Sequence, residues 1–138
     1  MSAVLLIEDN LTNRKLLGDI LLRAGHSVHE SSTADDGIAA ALATPFDLIV
    51  MDIQLPGTDG LTATRLLRAS AVTRHVPILA VTAHAMRGDQ ARILRAGCDA
   101  YVAKPISYKL FLSEINRLLD QPETHGGIRA SADNGPER

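Results

Sequence analysis

The sequence predicts an α/β domain: five alternating strand and helix units wound into one parallel sheet, with helices on both faces. Three observations lead there. Short apolar runs of about four to six residues, rich in Val, Ile and Leu, suit strands buried on both faces. Between them lie segments whose apolar residues recur at helical spacing, and such alternation selects a parallel sheet with right-handed crossovers. Four of the runs also end in a reactive or charged residue: Ala3 to Ile7 in Glu8-Asp9, Phe46 to Met51 in Asp52, Ile78 to Val81 in Thr82, and Ala100 to Ala103 in Lys104-Pro105.

In chain order, the first strand is Ala3 to Ile7. Leu16, Leu17, Ile20 and Leu21 form the stripe of the first helix, with Asp9, Asn10 and Thr12 as candidate caps and Gly25 as its close. Ser27 to Glu30 is the second strand, polar enough to belong at a sheet edge. Ile38, Ala41 and Leu42 mark the second helix, stopped by Thr44-Pro45; Leu61, Leu66 and Leu67 mark the third. Ile93 and Leu94, before Gly97, mark the fourth, and Leu112, Ile115, Leu118 and Leu119 the fifth. Arg-Ala-Gly occurs at Arg23 to Gly25 and again at Arg95 to Gly97. We read the echo as shared helix-ending chemistry, because glycine tolerates the left-handed cap.

A chain of 138 residues with 46% apolar content fits one domain. Its 14 basic and 16 acidic residues form no block of one sign. That excludes a nucleic-acid footprint and a membrane-surface face, so partners are expected to be proteins and no direct DNA binding is expected. Two tyrosines, two phenylalanines and no tryptophan leave little for base stacking. The single cysteine, Cys98, excludes an intrachain disulfide and is expected to be a packing residue. No signal peptide opens the chain and no stretch reaches the roughly 18 to 20 apolar residues of a membrane span, so a cytoplasmic protein is expected. The domain is placed at residues 1–121. Residues 122–138, with Ile128 as the sole large apolar residue, are expected to form a disordered tail too short for an output domain. Met1 just before the first strand suggests a complete protein.

In doubly wound sheets the ligand crevice opens at the carboxyl ends of the strands, where the winding reverses. With the polar second strand at an edge, the order 2-1-3-4-5 sets strands one and three side by side at that point. Glu8, Asp9 and Asp52 then become neighbours. Three carboxylates against Lys104 leave a charge of about −2, and like charges raise one another's pKa unless a cation intervenes. All-oxygen ligands with room for water favour magnesium or manganese over zinc. The strand ends therefore predict a phosphoryl-transfer or metal site.

The stretches Glu8-Asp9-Asn10, Met51-Asp52-Ile53-Gln54-Leu55-Pro56-Gly57 through Asp59-Gly60, Thr82-Ala83, and Tyr101-Val102-Ala103-Lys104-Pro105 resemble the motifs of receiver domains of two-component response regulators. The likeness runs over about residues 3 to 120, and is to the single-domain, chemotaxis-regulator type with its flavodoxin-like 2-1-3-4-5 sheet. It implies that Asp52 is the phosphoacceptor in a magnesium-dependent step. Asp9, Asp52 and the backbone carbonyl of Gln54 would ligate the metal, and Glu8 would act through a water. Lys104 would pair with Asp52 and then with a phosphoryl oxygen; Thr82 would donate its hydroxyl to another, beside the small Ala83. Pro105 would follow a cis peptide that aims Lys104 inward. Tyr101 resembles the aromatic whose rotation follows Thr82. His84 and Gln54 are expected to tune the lifetime of the acyl phosphate.

The resemblance further implies a switch more than an enzyme, with autocatalysed phosphorylation and dephosphorylation. A histidine kinase or histidine phosphotransfer protein would supply the phosphoryl group, docking near Leu11, Arg14 and Lys15. A downstream protein target would read the face of helix 4, strand 5 and helix 5, with Arg87, Arg92, Arg95, Lys109 and Arg117 as polar contacts. A monomer or weak homodimer is expected. A phosphatase with an aspartyl nucleophile would place a second aspartate where Gln54 stands, which counts against that chemistry. Gly57 and Gly60 read as turn residues rather than a Walker loop, and the five histidines have no zinc spacing.

Overall fold

The computed structural model describes residues 2–83 and 87–120, Arg87 by its backbone alone. His84 and the expected tail at 122–138 lie outside the described residues. The elements follow as β1 (Ala3–Ile7), α1 (Leu11–Arg23), β2 (Ser27–Ser31), α2 (Ala34–Ala43), β3 (Leu48–Asp52), α3 (Gly60–Ala69), β4 (Ile78–Thr82), α4 (Arg87–Ala96), β5 (Ala100–Ala103) and α5 (Tyr108–Asp120). All neighbours pair in parallel, in the order β2-β1-β3-β4-β5. The expected doubly wound sheet is present, with polar β2 at the edge.

Strand alternation divides the core into two layers. Val4, Leu6, Val50, Leu79 and Val81 meet Leu17, Ile20 and Leu21 of α1 and Phe111, Ile115 and Leu118 of α5. Leu5, Ile7, Met51, Ile78 and Ala80 meet Leu61, Ala63 and Leu67 of α3 and Ile93 and Ala96 of α4. The stripe of α1 is narrower than its spacing suggested: Leu16 is exposed while Leu17 is buried. One residue turns a helix by about 100 degrees, and the docking of α1 puts Leu17, Ile20 and Leu21 toward the sheet and turns Leu16 to its outer side. Phe111, absent from the predicted stripe of α5, is fully buried.

The Arg-Ala-Gly echo has one structural cause. Gly25 has φ 96° and Gly97 has φ 117°. After α1, Gly25 N–H donates to Leu22 O (3.0 Å) and His26 N–H to Leu21 O (3.1 Å); after α4, Gly97 N–H donates to Leu94 O (3.1 Å) and Cys98 N–H to Ile93 O (3.4 Å). Both helices end in the same paired bonds, which need a left-handed residue. Opposite the strand ends that carry the chemistry, Arg68 donates to Val76 O (2.6 Å), Gly97 O (2.9 Å) and Asp99 Oδ2 (2.7 Å), fastening α3 to the starts of β4 and β5.

Candidate functional site

Glu8 leaves β1 with its main-chain N–H on Ser31 O at 3.0 Å, which continues the β1 to β2 pairing by one residue. Its carboxylate turns inward and is 1% exposed. Oε2 accepts from Asn10 N–H at 3.1 Å. Asn10 Oδ1 in turn accepts from Asn13 N–H at 2.9 Å and caps α1, so Asp9 is not consumed as a cap. Asp9 stays exposed at the rim.

Asp52 is the last residue of β3, the strand paired to β1, and its side chain is 3% exposed. Oδ1 accepts from Gln54 N–H at 3.0 Å. Oδ2 lies 3.4 Å from Lys104 Nζ, and the same ammonium lies 3.5 Å from Glu8 Oε1. Lys104 thus stands between two carboxylates, where pairing with Asp52 alone was expected. The 3.5 Å contact is an ion pair without hydrogen-bond geometry, so the buried Oε1 of Glu8 has no hydrogen-bond partner. Burial, and next the adjacent Asp52 carboxyl, push Glu8 up from 4.5 to about 7; Asn10 N–H and Lys104 pull the other way.

Ligand oxygens of Glu8, Asp9 and Asp52 lie within 4.8 Å of one another. An orphaned buried carboxylate oxygen beside two further carboxylates fits a cation, and the all-oxygen set fits a hard one such as magnesium.

On the other side of Asp52, Thr82 ends β4 and is 1% exposed, its carbonyl accepting Lys104 N–H at 2.8 Å. Ala83 N–H donates to the side-chain Oε1 of Gln54 at 3.3 Å. A cleft of about 270 Å³ opens here, lined by Gln54, Asp59, Thr82 and Arg92 among others. Tyr101 pairs with Ala80, half-buried against the core layer under α3 and α4. The Lys104–Pro105 peptide is cis.

Gly60 differs from its sequence reading, and Arg14 carries contacts beyond it. Gly57 has φ 75° and is a turn residue as expected, but Gly60 opens α3. A Cβ there would collide with Asp52 O and stand 2.6 Å from Ile53 Cα, so glycine lets α3 start directly against the end of β3. Arg14, expected as a docking residue, is 17% exposed; its Nη1 donates to Glu8 O at 2.9 Å and its Nε lies 3.4 Å from Glu30 Oε1. No local pattern marks this role, because the partners come from two other segments.

Residues 4–116 match the response regulator receiver domain. The chain is 40% identical over 117 residues to the polar-differentiation response regulator DivK of Brucella ovis, spanning 85% of this chain and 95% of that one. It is similar to the receiver domain of the sensor histidine kinase PA1611 from Pseudomonas aeruginosa, solved with a magnesium ion coordinated in the active-site cleft (TM-score 0.82, 34% identity, 87% of this chain and 98% of that chain). The fold is also shared with the chemotaxis protein CheY4 of Vibrio cholerae (TM-score 0.81, 23% identity, 86% and 98% of the two chains). Among the described residues, no helix is long and apolar enough to cross a membrane. The strand order, the motifs and these likenesses agree: the chain belongs to the receiver domain family of two-component response regulators, a family of signalling switches.

Proposed function

We propose that Asp52 accepts a phosphoryl group from the phosphohistidine of a histidine kinase or phosphotransfer protein in the cytoplasm, in a magnesium-dependent step. The convergence at one sheet edge of three carboxylates, with Lys104 3.4 Å from Asp52, carries this reading. A carboxylate is a weak nucleophile, and it succeeds when attack is in line and the charge on the transferring oxygens is compensated. A P–O bond forms at an Asp52 oxygen and the P–N bond breaks, its electron pair returning to the imidazole nitrogen. When bound, magnesium supplies positive charge against the phosphoryl oxygens. Asp9, Asp52 and the carbonyl of Gln54 would hold it directly and Glu8 through a water; manganese has no support from the relatives.

The chain's own groups do the rest. Lys104 is already beside Asp52 and offers its ammonium to a phosphoryl oxygen. Thr82, one strand over, offers its hydroxyl, with small Ala83 leaving room. Gln54 accepts the Ala83 N–H, and this side chain must move for that amide to face a new oxygen. We assign Gln54 a part in setting phosphate lifetime, with His84 as its partner in that role. Phosphorylation adds about 1.5 to 2 negative charges. Thr82 and Lys104 then draw inward, Tyr101 follows, and the face of α4, β5 and α5 changes. That face exposes Leu94, Tyr108 and Leu110, with Arg92 and Arg117 held outward by Asp89 and Glu114. It binds a target protein or serves onward relay.

Acid-labile phosphate uptake from a small phosphodonor with magnesium tests the proposal. Wild type is expected to label and Asp52→Asn to lose the label entirely. Failure of wild type with every competent donor would instead favour a constitutive binding module.

A further inference from the structure

Arg14 lies on the first turn and a half of α1, yet its guanidinium points back across the β1–α1 junction. Nη1 donates to Glu8 O at 2.9 Å and reaches Asp9 O at 3.4 Å, while Nε stands 3.4 Å from Glu30 Oε1 on the edge strand. We infer that Arg14 is a positioning residue for the metal site: pinned by Glu30, it fixes the Glu8 and Asp9 carbonyls and so the direction of their carboxylates. The inference rests on the proposed reading of Glu8, Asp9 and Asp52 as metal ligands.

Two further observations support it. The N–H of Glu8 is already held by Ser31 O, so Arg14 on its carbonyl completes the fixation of that residue's main chain. A planar fork with donors spread over three nitrogens can bond carbonyls and face a carboxylate at once, which the compact ammonium of a lysine does poorly. The carboxylate of Glu30 also lies over Gly18 of α1, where an added Cβ would stand 2.9 Å from Oε2, so its end lies across the helix from which Arg14 reaches it.

Charge and position predict opposite signs. A cation beside the carboxylates repels a metal ion, so on charge alone Arg14→Met should tighten magnesium binding. Positioning demands that it weaken, by about tenfold as for other outer-shell partners of metal ligands. Magnesium chloride titrated into the full chain, followed by backbone amide shifts, measures this, and the metal-free spectrum reports whether each variant folds. Arg14→Met and Arg14→Lys are both expected to bind more weakly than wild type. Magnesium affinity in Arg14→Met equal to or tighter than wild type overturns the inference. Should Arg14→Met not fold, Arg14→Lys decides: it keeps the charge and loses the planar fork, so a severalfold loss is expected and an unchanged affinity overturns the role. Absence of magnesium binding by wild type would instead overturn the metal reading itself, and this inference with it.

Discussion

Glu8 concentrates the chemistry of this chain in one side chain. It is buried to 1% exposure, one oxygen lacks a hydrogen-bond partner, and its pKa is raised from 4.5 to about 7. A folded pKa above the unfolded value means that the native protein binds more protons between those two pH values. The contribution of Glu8 to stability therefore falls as pH rises from about 4.5 to about 7, is flat below that window, and carries the full cost above it. One proton over that interval is worth on the order of 3 kcal/mol. In chelator, urea midpoints of wild type are expected to drop across the window, while Glu8→Gln stays level; parallel curves would refute the assignment. The motif Glu8-Asp9-Asn10 made the acid visible from the sequence. Its orphaned oxygen was not, because that depends on Lys104 stopping at 3.5 Å, a distance set by β5, two strands beyond β3.

At the scale of elements, the strands were legible as short apolar runs, four of them ending in reactive or charged residues, and the ends of α1 and α4 because glycine marks them. Phase and close approach were harder to read. Leu16 and Leu17 look alike in the sequence, and only docking against the sheet decides which is buried. Gly60 reads as a turn residue until α3 is seen against β3. Its missing Cβ would meet backbone atoms of Asp52 and Ile53, which cannot move aside as a flexible side chain would. Gly60→Ala is expected to cost about 2 to 3 kcal/mol in urea denaturation and to reduce phosphate uptake by shifting Asp52. Gly88→Ala, in α4 with nothing within 4 Å of the added carbon, is the control and should be neutral or slightly stabilising. A neutral Gly60→Ala would mean that α3 can retreat from β3 freely.

For the molecule as a whole, metal binding and folding are linked, because the carboxylates are brought within 4.8 Å only in the native sheet. At about ten times its Kd, magnesium should add about 1.4 kcal/mol of stability. The gain should be larger above pH 7 than below it, since Glu8 must ionise, and Asp9→Asn should lose most of it; thermal unfolding with magnesium against chelator reads both. An equal gain in Asp9→Asn would remove that residue from the ligand set. The sequence alone determined the (βα)5 winding, the edge position of β2 and the identity of the converging residues, since apolar periodicity, edge polarity and four strand-end motifs are local properties of the chain, while the full strand order came with the family resemblance that those motifs carry. Only the tertiary structure decided how those residues engage: Lys104 between Glu8 and Asp52, Gln54 on the Ala83 amide, and Arg14 held by Glu30 behind the acidic loop. Such contacts join segments distant in sequence, and their distances follow from strand register and helix docking.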